Sequence, residues 1–403
     1  MNFVLYAIPF FFLLIGLELL LEKWRKTEFY RVNDAINSLS AGVLSQMTGL
    51  AKNLLPFTVY IFVYENMALF SWEKSTAFWI FAFLFYDFLY YWKHRMGHEM
   101  SLLWAAHVVH HSSEEYNLTT ALRQTSGNIV GWIFYVPMAL IGVEPYVLIS
   151  VGSLNLVYQF WVHTRHVPKL GWFEWFFVSP SNHRVHHAQN QIYLDRNYGG
   201  VFILWDRLFG TFQEELEEEK PIYGVRKALR SWNPLWANVQ VYTQLVKDSV
   251  RTKRWSDKFR VWFGRTGWRP EDMERDFPLA RVDLARFQKY DVPLTTSSKW
   301  YAVLQYGLMT FVGLMLLLNV QMLDIKEQLS LIIFVGFCSY SLGAFLEGKA
   351  FAVGLEVIKN VIVLAVCWLV SINMAVMTTL VVLALLSLAV LCLTFLPQRR
   401  LAS

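Results

Sequence analysis

Cysteine is almost missing from this chain, with three in 403 residues. Cys338, Cys367 and Cys392 stand apart in late apolar segments, which excludes a disulfide framework and a CxxC ligand pair. Histidine is absent from both flanks, because all ten lie between His94 and His187. Charge is sparse at 17%, and the formal excess is +5. No nucleic-acid motif accompanies that excess, so the basic balance is read as suiting an anionic membrane surface and nucleic acid is excluded as a partner. A basic stretch ahead of the first apolar run is also lacking, as is an obvious cleavage site. Phe3 to Leu21 therefore reads as a retained span and not as a signal peptide.

What the chain has in abundance is apolar surface. Hydrophobic residues make up 55% and aromatic residues 17%, and the mean hydropathy is +0.33. These values and the long apolar runs indicate an integral membrane protein. Spans are expected at 3–21, 44–65, 75–93, 128–143, 146–162, 300–320, 329–346, 352–371 and 375–396, with the pair around Pro145 short enough for a re-entrant hairpin. Lys23, Arg25, Lys26 and Arg31 follow the first span, and Arg399 and Arg400 end the chain. Nine spans put both groups, and every histidine, on the cytoplasmic side. Residues 22–42 read as an interfacial connection. The expected organisation is an N-terminal membrane segment (1–74), a metal-bearing domain (75–215), a cytoplasmic basic region (216–299) and a C-terminal membrane module (300–403). In that module Glu356 and Lys359 stand i,i+3, where they are expected to pair.

The histidines fall into HRMGH (His94, His98), HVVHH (His107, His110, His111), HTRH (His163, His166) and HRVHH (His183, His186, His187). On helices, i,i+3 and i,i+4 spacings direct imidazoles to one face. One pair, two triplets and His163 supply nine ligands, enough for two adjacent metals of four or five ligands each. His166 is assigned to the surroundings of the site. An all-histidine set suits iron, zinc, copper or nickel and disfavours magnesium or calcium. The location at the mouth of a membrane bundle favours iron with O2, because an unactivated lipid C–H bond needs a strong oxidant and a water-free site. Asp87, Asn117, Asp195, Asn197 and Tyr198 are the supporting catalytic candidates, with Glu114 beside them. Asp87, two turns before His94, is expected to accept the free N–H of a ligand histidine. Trp205, Asp206 and Arg207 read as a structural anchor.

HRMGH, HVVHH and HRVHH resemble the motifs of the fatty acid hydroxylase/sterol desaturase superfamily of membrane di-iron enzymes. Within it, YYWKHRMGHE (90–99), HHSSEEYNLTTALRQ (110–124), YQFWVHT (158–164), SPSNHRVHHAQN (179–190) and DRNYGGVFILWDRLFGTFQEE (195–215) most resemble the branch that cleaves glyceryl ethers. The resemblance implies metal-ligand roles for His94, His98, His107, His110, His111, His163, His183, His186 and His187. It also implies two iron ions and a tetrahydropterin, with hydroxylation next to the ether oxygen and collapse of the hemiacetal to a fatty aldehyde and glycerol. Arg165 and His166 depart from that branch, which has an acidic and then a hydrophobic residue after HT.

The expected protein is therefore an all-α, polytopic membrane enzyme with a histidine-rich di-metal helical core facing the cytoplasm, in an inner or endoplasmic-reticulum-type membrane. Its partners are a membrane lipid, O2 and an electron donor. The alternatives are a hydroxylase or desaturase of sterols or fatty acyl chains and, outside enzymes, a membrane metal transporter. A transporter should string its ligands along a route across the bilayer, whereas this chain collects them on one side.

Overall fold

The computed structural model describes residues 3–280, 283–369 and 373–394, and among these residues the protein is helical with no strand. Arg399 and Arg400, and the ends of the expected spans 352–371 and 375–396, lie outside the described residues. Contacts divide the chain into two compact units. One holds residues 1–31, 49–229 and 238–288, and the other holds 32–48, 230–237 and 289–403.

In chain order the helices reaching the first histidine motifs are α1 (Phe3–Arg25), α2 (Val32–Lys52), α3 (Leu54–Met67), α4 (Thr76–Glu99) and α5 (Ser101–His111). They are followed by α6 (Leu118–Ala121), α7 (Val136–Leu140), α8 (Pro145–Trp161), α9 (Pro180–His186) and α10 (Leu204–Leu208). Next come α11 (Pro234–Arg251), α12 (Trp255–Phe263) and α13 (Glu271–Asp276). The chain closes with α14 (Thr296–Asn319), α15 (Ile325–Leu346), α16 (Ala352–Leu369) and α17 (Met374–Thr394).

In the first unit α4 packs on α5 and α8, and α8 packs on α1. Ser75 caps α4 by accepting the Phe78 amide (3.2 Å), satisfying one of the donors that a helix start leaves free. An apolar core of Tyr60, Phe78, Ala82, Tyr86, Leu89, Met138, Val147 and Val151 joins α3, α4, α7 and α8. A Cβ on Gly152 would approach the Tyr86 ring to 3.0 Å, so glycine there lets α8 close on α4. The backbone then turns sharply at the extended residue Met100, and α5 folds back beside the end of α4.

Two expected spans differ from the structure. Residues 44–65 form two helices that meet at Asn53, because Pro56 in the first turn of α3 cannot continue a preceding helix. Residues 128–143 form a 3-10 turn (Gly131–Tyr135) followed by the short α7. The expected interfacial connection at 22–42 is also shorter, since α2 begins at Val32. Its polar residues Asn33, Asp34, Asn37 and Ser38 are buried, and Asn37 Nδ2 donates to the Trp232 carbonyl. Polarity in a segment does not place it in water when every polar group finds a partner.

In the second unit α14 packs on α15 and α17, and α16 packs on α15 and α17. Among the described residues, α14, α15 and residues 374–393 of α17 are long and apolar enough to cross a membrane. Glu356 and Lys359 are fully buried and pair with each other, as the spacing leads one to expect. The Glu356 carboxylate also accepts from the Tyr301 hydroxyl (2.6 Å) and the Ser341 hydroxyl (2.5 Å). Removing one member of a buried pair strands the other charge, at a cost of about 3–5 kcal/mol, whereas removing both is far milder. Glu356→Leu is therefore expected to lower the thermal midpoint in detergent sharply, and Glu356→Leu/Lys359→Met is expected to recover most of the loss. A double variant as unstable as the single one would contradict this account.

Candidate metal centre

The three expected helical settings are present. His94 and His98 end α4, His107, His110 and His111 lie in the last turns of α5, and His183 and His186 lie in α9 with His187 capping it. Helix α9 starts where it does because Ser179 and Asn182 form a reciprocal capping box and Pro180 occupies the first turn. His163 follows α8 directly.

The fold gathers nine imidazoles into two adjoining groups. His94, His98, His107, His111 and His186 form one, and His110, His163, His183 and His187 the other. Within each, one nitrogen per ring lies within 4.8 Å of all the others. His107 is partly buried and the other eight are buried. Burial pushes these imidazoles down from their ordinary 6.5, to about 4 at His110 and about 3 at His186. For His98, His111 and His187, burial comes first and neighbouring imidazoles add to it. The rings are thus neutral at pH 7, which is the form that offers a lone pair.

Ring orientation shows what the cluster suits. Nδ1–H of His94 donates to the Tyr198 carbonyl (2.8 Å) and that of His110 to the Arg123 carbonyl (3.0 Å). His163 donates likewise to the Gln159 carbonyl (2.8 Å) and His186 to the Arg196 carbonyl (3.0 Å). A carbonyl can only accept, so in these four rings the proton sits on Nδ1 and Nε2 carries the inward lone pair. Yet His163 Nε2 faces His110 Nε2 at 3.3 Å, with no hydrogen available between them. His98, His186 and His187 also have buried Nε2 atoms without a partner. Two opposed lone pairs and three orphaned nitrogens in one buried volume are destabilising unless a cation joins them, and the donor set fits a pair of first-row metal ions.

The supporting candidates divide. Asp87 accepts from Asn155 Nδ2 (2.6 Å), the Val201 and Phe202 amides (2.9 and 3.1 Å) and Trp205 Nε1 (2.9 Å). Its oxygens serve the 201–205 loop and receive no histidine N–H, which corrects the expected role. Backbone carbonyls take that role, and they have no signature in a sequence. Asn117 caps α6, accepting from the Thr119 amide (3.0 Å) and donating to the Phe29 carbonyl (2.8 Å), so its side chain serves the backbone. Asp195 lies in a left-handed turn, 3.5 Å from the exposed Arg265. Glu114 lies 3.9 Å from Arg31. Asn197 and Tyr198 do border the centre. Asn197 Nδ2 donates to the Asn182 and Gln213 carbonyls (3.0 and 2.7 Å) and so ties α9 to its neighbouring loop. The Tyr198 ring is 5.3 Å from that of His98, and its hydroxyl is buried without a partner.

Asp206 proves to be an anchor. It accepts from the Tyr198 and Gly199 amides (2.7 and 2.8 Å) and the Thr211 hydroxyl (2.7 Å), while burial pushes its carboxyl up to about 6. A Cβ on Gly200 would fall 2.8 Å from Asp87 Oδ1, so this loop closes on α4 only with glycine there. Several positioning residues escaped the sequence reading. Glu18 accepts from the Leu118 amide (2.9 Å) and the Thr164 hydroxyl (2.5 Å), tying α1 to two histidine segments. Arg123 donates to the Val109 carbonyl (2.8 Å), and Arg184 forms a close pair with Glu215 (2.6 Å). Nothing in a sequence separates a buried cation from an exposed one. His166 lies outside both groups, with its ring 4.9 Å from Phe29. The Arg165 guanidinium rests on Phe29 at 3.9 Å.

With this geometry in place, comparison with known proteins becomes informative. Residues 79–211 match the fatty acid hydroxylase family model, so the segment that carries the buried histidine centre is similar to the fatty acid hydroxylases. Alkylglycerol monooxygenase of Homo sapiens is 40% identical over 316 residues, covering 76% of this chain and 69% of that protein. Alkylglycerol monooxygenase of Xenopus tropicalis is 36% identical over 367 residues, covering 89% and 80%. The chain belongs to the alkylglycerol monooxygenase family. More distantly, it is 24% identical to ornithine lipid hydroxylase of Rhizobium tropici over 208 residues, covering 47% of this chain and 60% of that protein. No solved structure matches.

Two outcomes are expected. Asp206→Ala should free the loop that supplies the Tyr198 carbonyl and weaken metal retention about 10–100-fold, measured by competition with a chelator. Retention equal to wild type would remove the loop from the account. Acid stability provides the second. Because the folded imidazoles titrate below 6.5, the unfolded chain binds protons first as pH falls through that value. Their contribution is present above 6.5 and is lost on acidification. Chelator-treated protein should therefore melt at clearly lower temperature at about pH 5.5 than at about pH 8. Equal melting temperatures would argue against neutral, buried rings.

Proposed function

We propose that the chain is a membrane-bound, O2-dependent lipid monooxygenase that hydroxylates and cleaves glyceryl ether lipids, with two iron ions held by its nine clustered histidines. The observation that carries the reading is the pair of opposed lone pairs on His110 and His163, inside one of two adjoining histidine groups. Membership of the alkylglycerol monooxygenase family supports the substrate class. His94, His98, His107, His111 and His186 hold one ion, and His110, His163, His183 and His187 hold the other. When bound, iron supplies the activation of dioxygen that attack on an unactivated C–H bond requires.

The chain's own residues provide position and dryness. Four backbone carbonyls set the imidazole tautomers, so the donor nitrogens are aimed before any ion arrives. The buried rings of Tyr116 and Tyr198 stand 5.2 Å from His187 and 5.3 Å from His98, keeping bulk water from the centre. The lipid's reacting carbon must be held beside the two groups. One oxygen atom of O2 enters a C–H bond at that carbon, while the other leaves as water with two electrons and two protons from the donor. The resulting hemiacetal would collapse to a fatty aldehyde and glycerol. The family points to a tetrahydropterin as electron donor. Lys23, Arg25, Lys26 and Arg31 favour the cytoplasmic face for this end of the protein in the nine-span arrangement. Concentration of the ligands in one buried centre speaks against a transport route.

Metal analysis of gently purified protein is expected to give near two irons per chain, reduced in His186→Ala without loss of membrane insertion. With O2, an alkylglycerol and tetrahydropterin, the wild type should release fatty aldehyde, and omission of the pterin should stop it. Full iron and full turnover in His186→Ala would sink the ligand assignment. A stable sterol or acyl alcohol, or a new double bond, in place of aldehyde would move the chain to the sterol or fatty acyl reading.

A further inference from the structure

Helices α11 and α12 are apolar on two opposite sides. Their inner sides, with Leu245 and Val261, pack together with Ala105 of α5, the helix that carries His107, His110 and His111. On the outer side of α11, Val239, Val246 and Val250 fall at i, i+7 and i+11. On α12, Trp255, Phe259 and Phe263 fall at i, i+4 and i+8. Each spacing returns to one helix face. All six are exposed, and Val250, Trp255, Phe259 and Phe263 are 71%, 75%, 64% and 62% accessible. Four bulky residues this bare on two adjoining helices exceed the scattered apolar residues of an ordinary solvated surface.

Basic residues predominate along this stretch, although acidic α13 adjoins the corner, where Asp272 accepts from the Thr252 hydroxyl (3.1 Å) and the Lys253 amide (3.0 Å). Between 246 and 265 stand seven basic residues (Lys247, Arg251, Lys253, Arg254, Lys258, Arg260 and Arg265) and two acidic ones, Asp248 and Asp257. Both acids are buried, and Asp248 is engaged by Arg269 at 2.8 Å. The corner itself is braced. Lys258 Nζ donates to the Ser249 and Val250 carbonyls (both 2.9 Å), fixing α12 against the end of α11. Beyond α12, the Ser101 amide donates to the Gly264 carbonyl (3.0 Å) and the Thr266 amide to the Glu99 carbonyl (3.1 Å). The same element therefore grips the turn between the helices carrying His94, His98 and the α5 histidines.

We propose that the outer face of α11 and α12 docks on an anionic bilayer surface. Trp255, Phe259 and Phe263 sit at the boundary between headgroups and acyl chains, and the basic rim meets lipid phosphates. Bulky apolar and aromatic side chains rimmed by Lys and Arg are what an interfacial helix requires, and a chain with membrane-crossing helices always has a bilayer at hand. The exposed acids Glu271, Glu274 and Asp276 of α13 are left in water in this orientation. Because this element grips the α4–α5 turn, docking sets the depth at which the histidine centre meets lipid. The surface stands on its own observations, independent of which lipid is oxidised.

The test needs no turnover. In full-length protein with Cys392→Ser, Cys338 and Cys367 are buried, so a nitroxide attached at Phe259→Cys or Phe263→Cys reports one position. Glu271→Cys on α13 is the aqueous control. In nanodiscs containing phosphatidylglycerol, labels at 259 and 263 should be several-fold less accessible to a water-soluble nickel chelate than the label at 271, and more accessible to oxygen. Lys253→Gln/Arg254→Gln, or a phosphatidylcholine-only disc, should raise nickel accessibility at 259. Water-like accessibility at 259 and 263 in both lipids would overturn the proposal. Protection unchanged by removal of the charges would overturn its anionic specificity. Spin–spin broadening between labelled chains would assign the face to a second copy and overturn it equally.

Discussion

Everything at the centre depends on one hydrogen bond repeated four times, an imidazole Nδ1–H donated to a backbone carbonyl. His94, His110, His163 and His186 are held this way by Tyr198, Arg123, Gln159 and Arg196. Each bond fixes a tautomer, and each tautomer turns a lone pair inward where the rings converge. The carbonyls come from loops and helix ends, so those segments must be as rigid as the rings themselves. That explains the carboxylates placed beneath them. Asp206 ties residues 198–199 to Thr211, and Asp87 receives four donors from α8 and the loop at 201–205. A hydrogen bond to a charged partner contributes about 1.5–3 kcal/mol net, so these two residues hold the loop more firmly than packing alone would.

The same logic runs outward through the first unit. Glu18, Arg123, Arg184 and Asn197 are buried or nearly so, and each spans two segments that carry or flank histidines. Burying a polar group is costly without partners, and the clustering of such groups around the imidazoles follows from the number of loops to be fixed. The second unit solves a different problem with the same chemistry. Its Glu356 and Lys359 form a closed polar knot with Tyr301 and Ser341 in an apolar helical bundle. The second unit contains no histidine, since every histidine in the chain lies between His94 and His187.

Helices α11 and α12 join scaffold to surroundings. One side packs near the histidine-bearing α5, and the other is apolar, exposed and rimmed with basic residues. Family relatives covering 80% or more of their own length extend well past the 79–211 core. The helices beyond that core are accordingly shared with the family, and the proposed docking face would give α11 and α12 a physical task.

The clustering of the imidazoles was legible in the sequence because it depends on local spacing. Residues three and four apart on a helix face the same way whatever surrounds them, so HRMGH, HVVHH and HRVHH announced three imidazole faces. The all-helical, membrane-bound character was legible from apolar runs for the same reason. The breaks at Asn53 and across 131–140 were harder, because apolar content counts residues and does not register where a proline interrupts the backbone ladder. Asp87 was read as a histidine's partner from its helical phase alone. That reading failed because phase shows which way a side chain points and not which loop arrives to meet it. The division of nine histidines into five and four, the carbonyls that orient them and the burial that keeps them neutral are all long-range contacts. Only the tertiary structure could decide them, because each joins groups far apart in the chain that the sequence leaves independent.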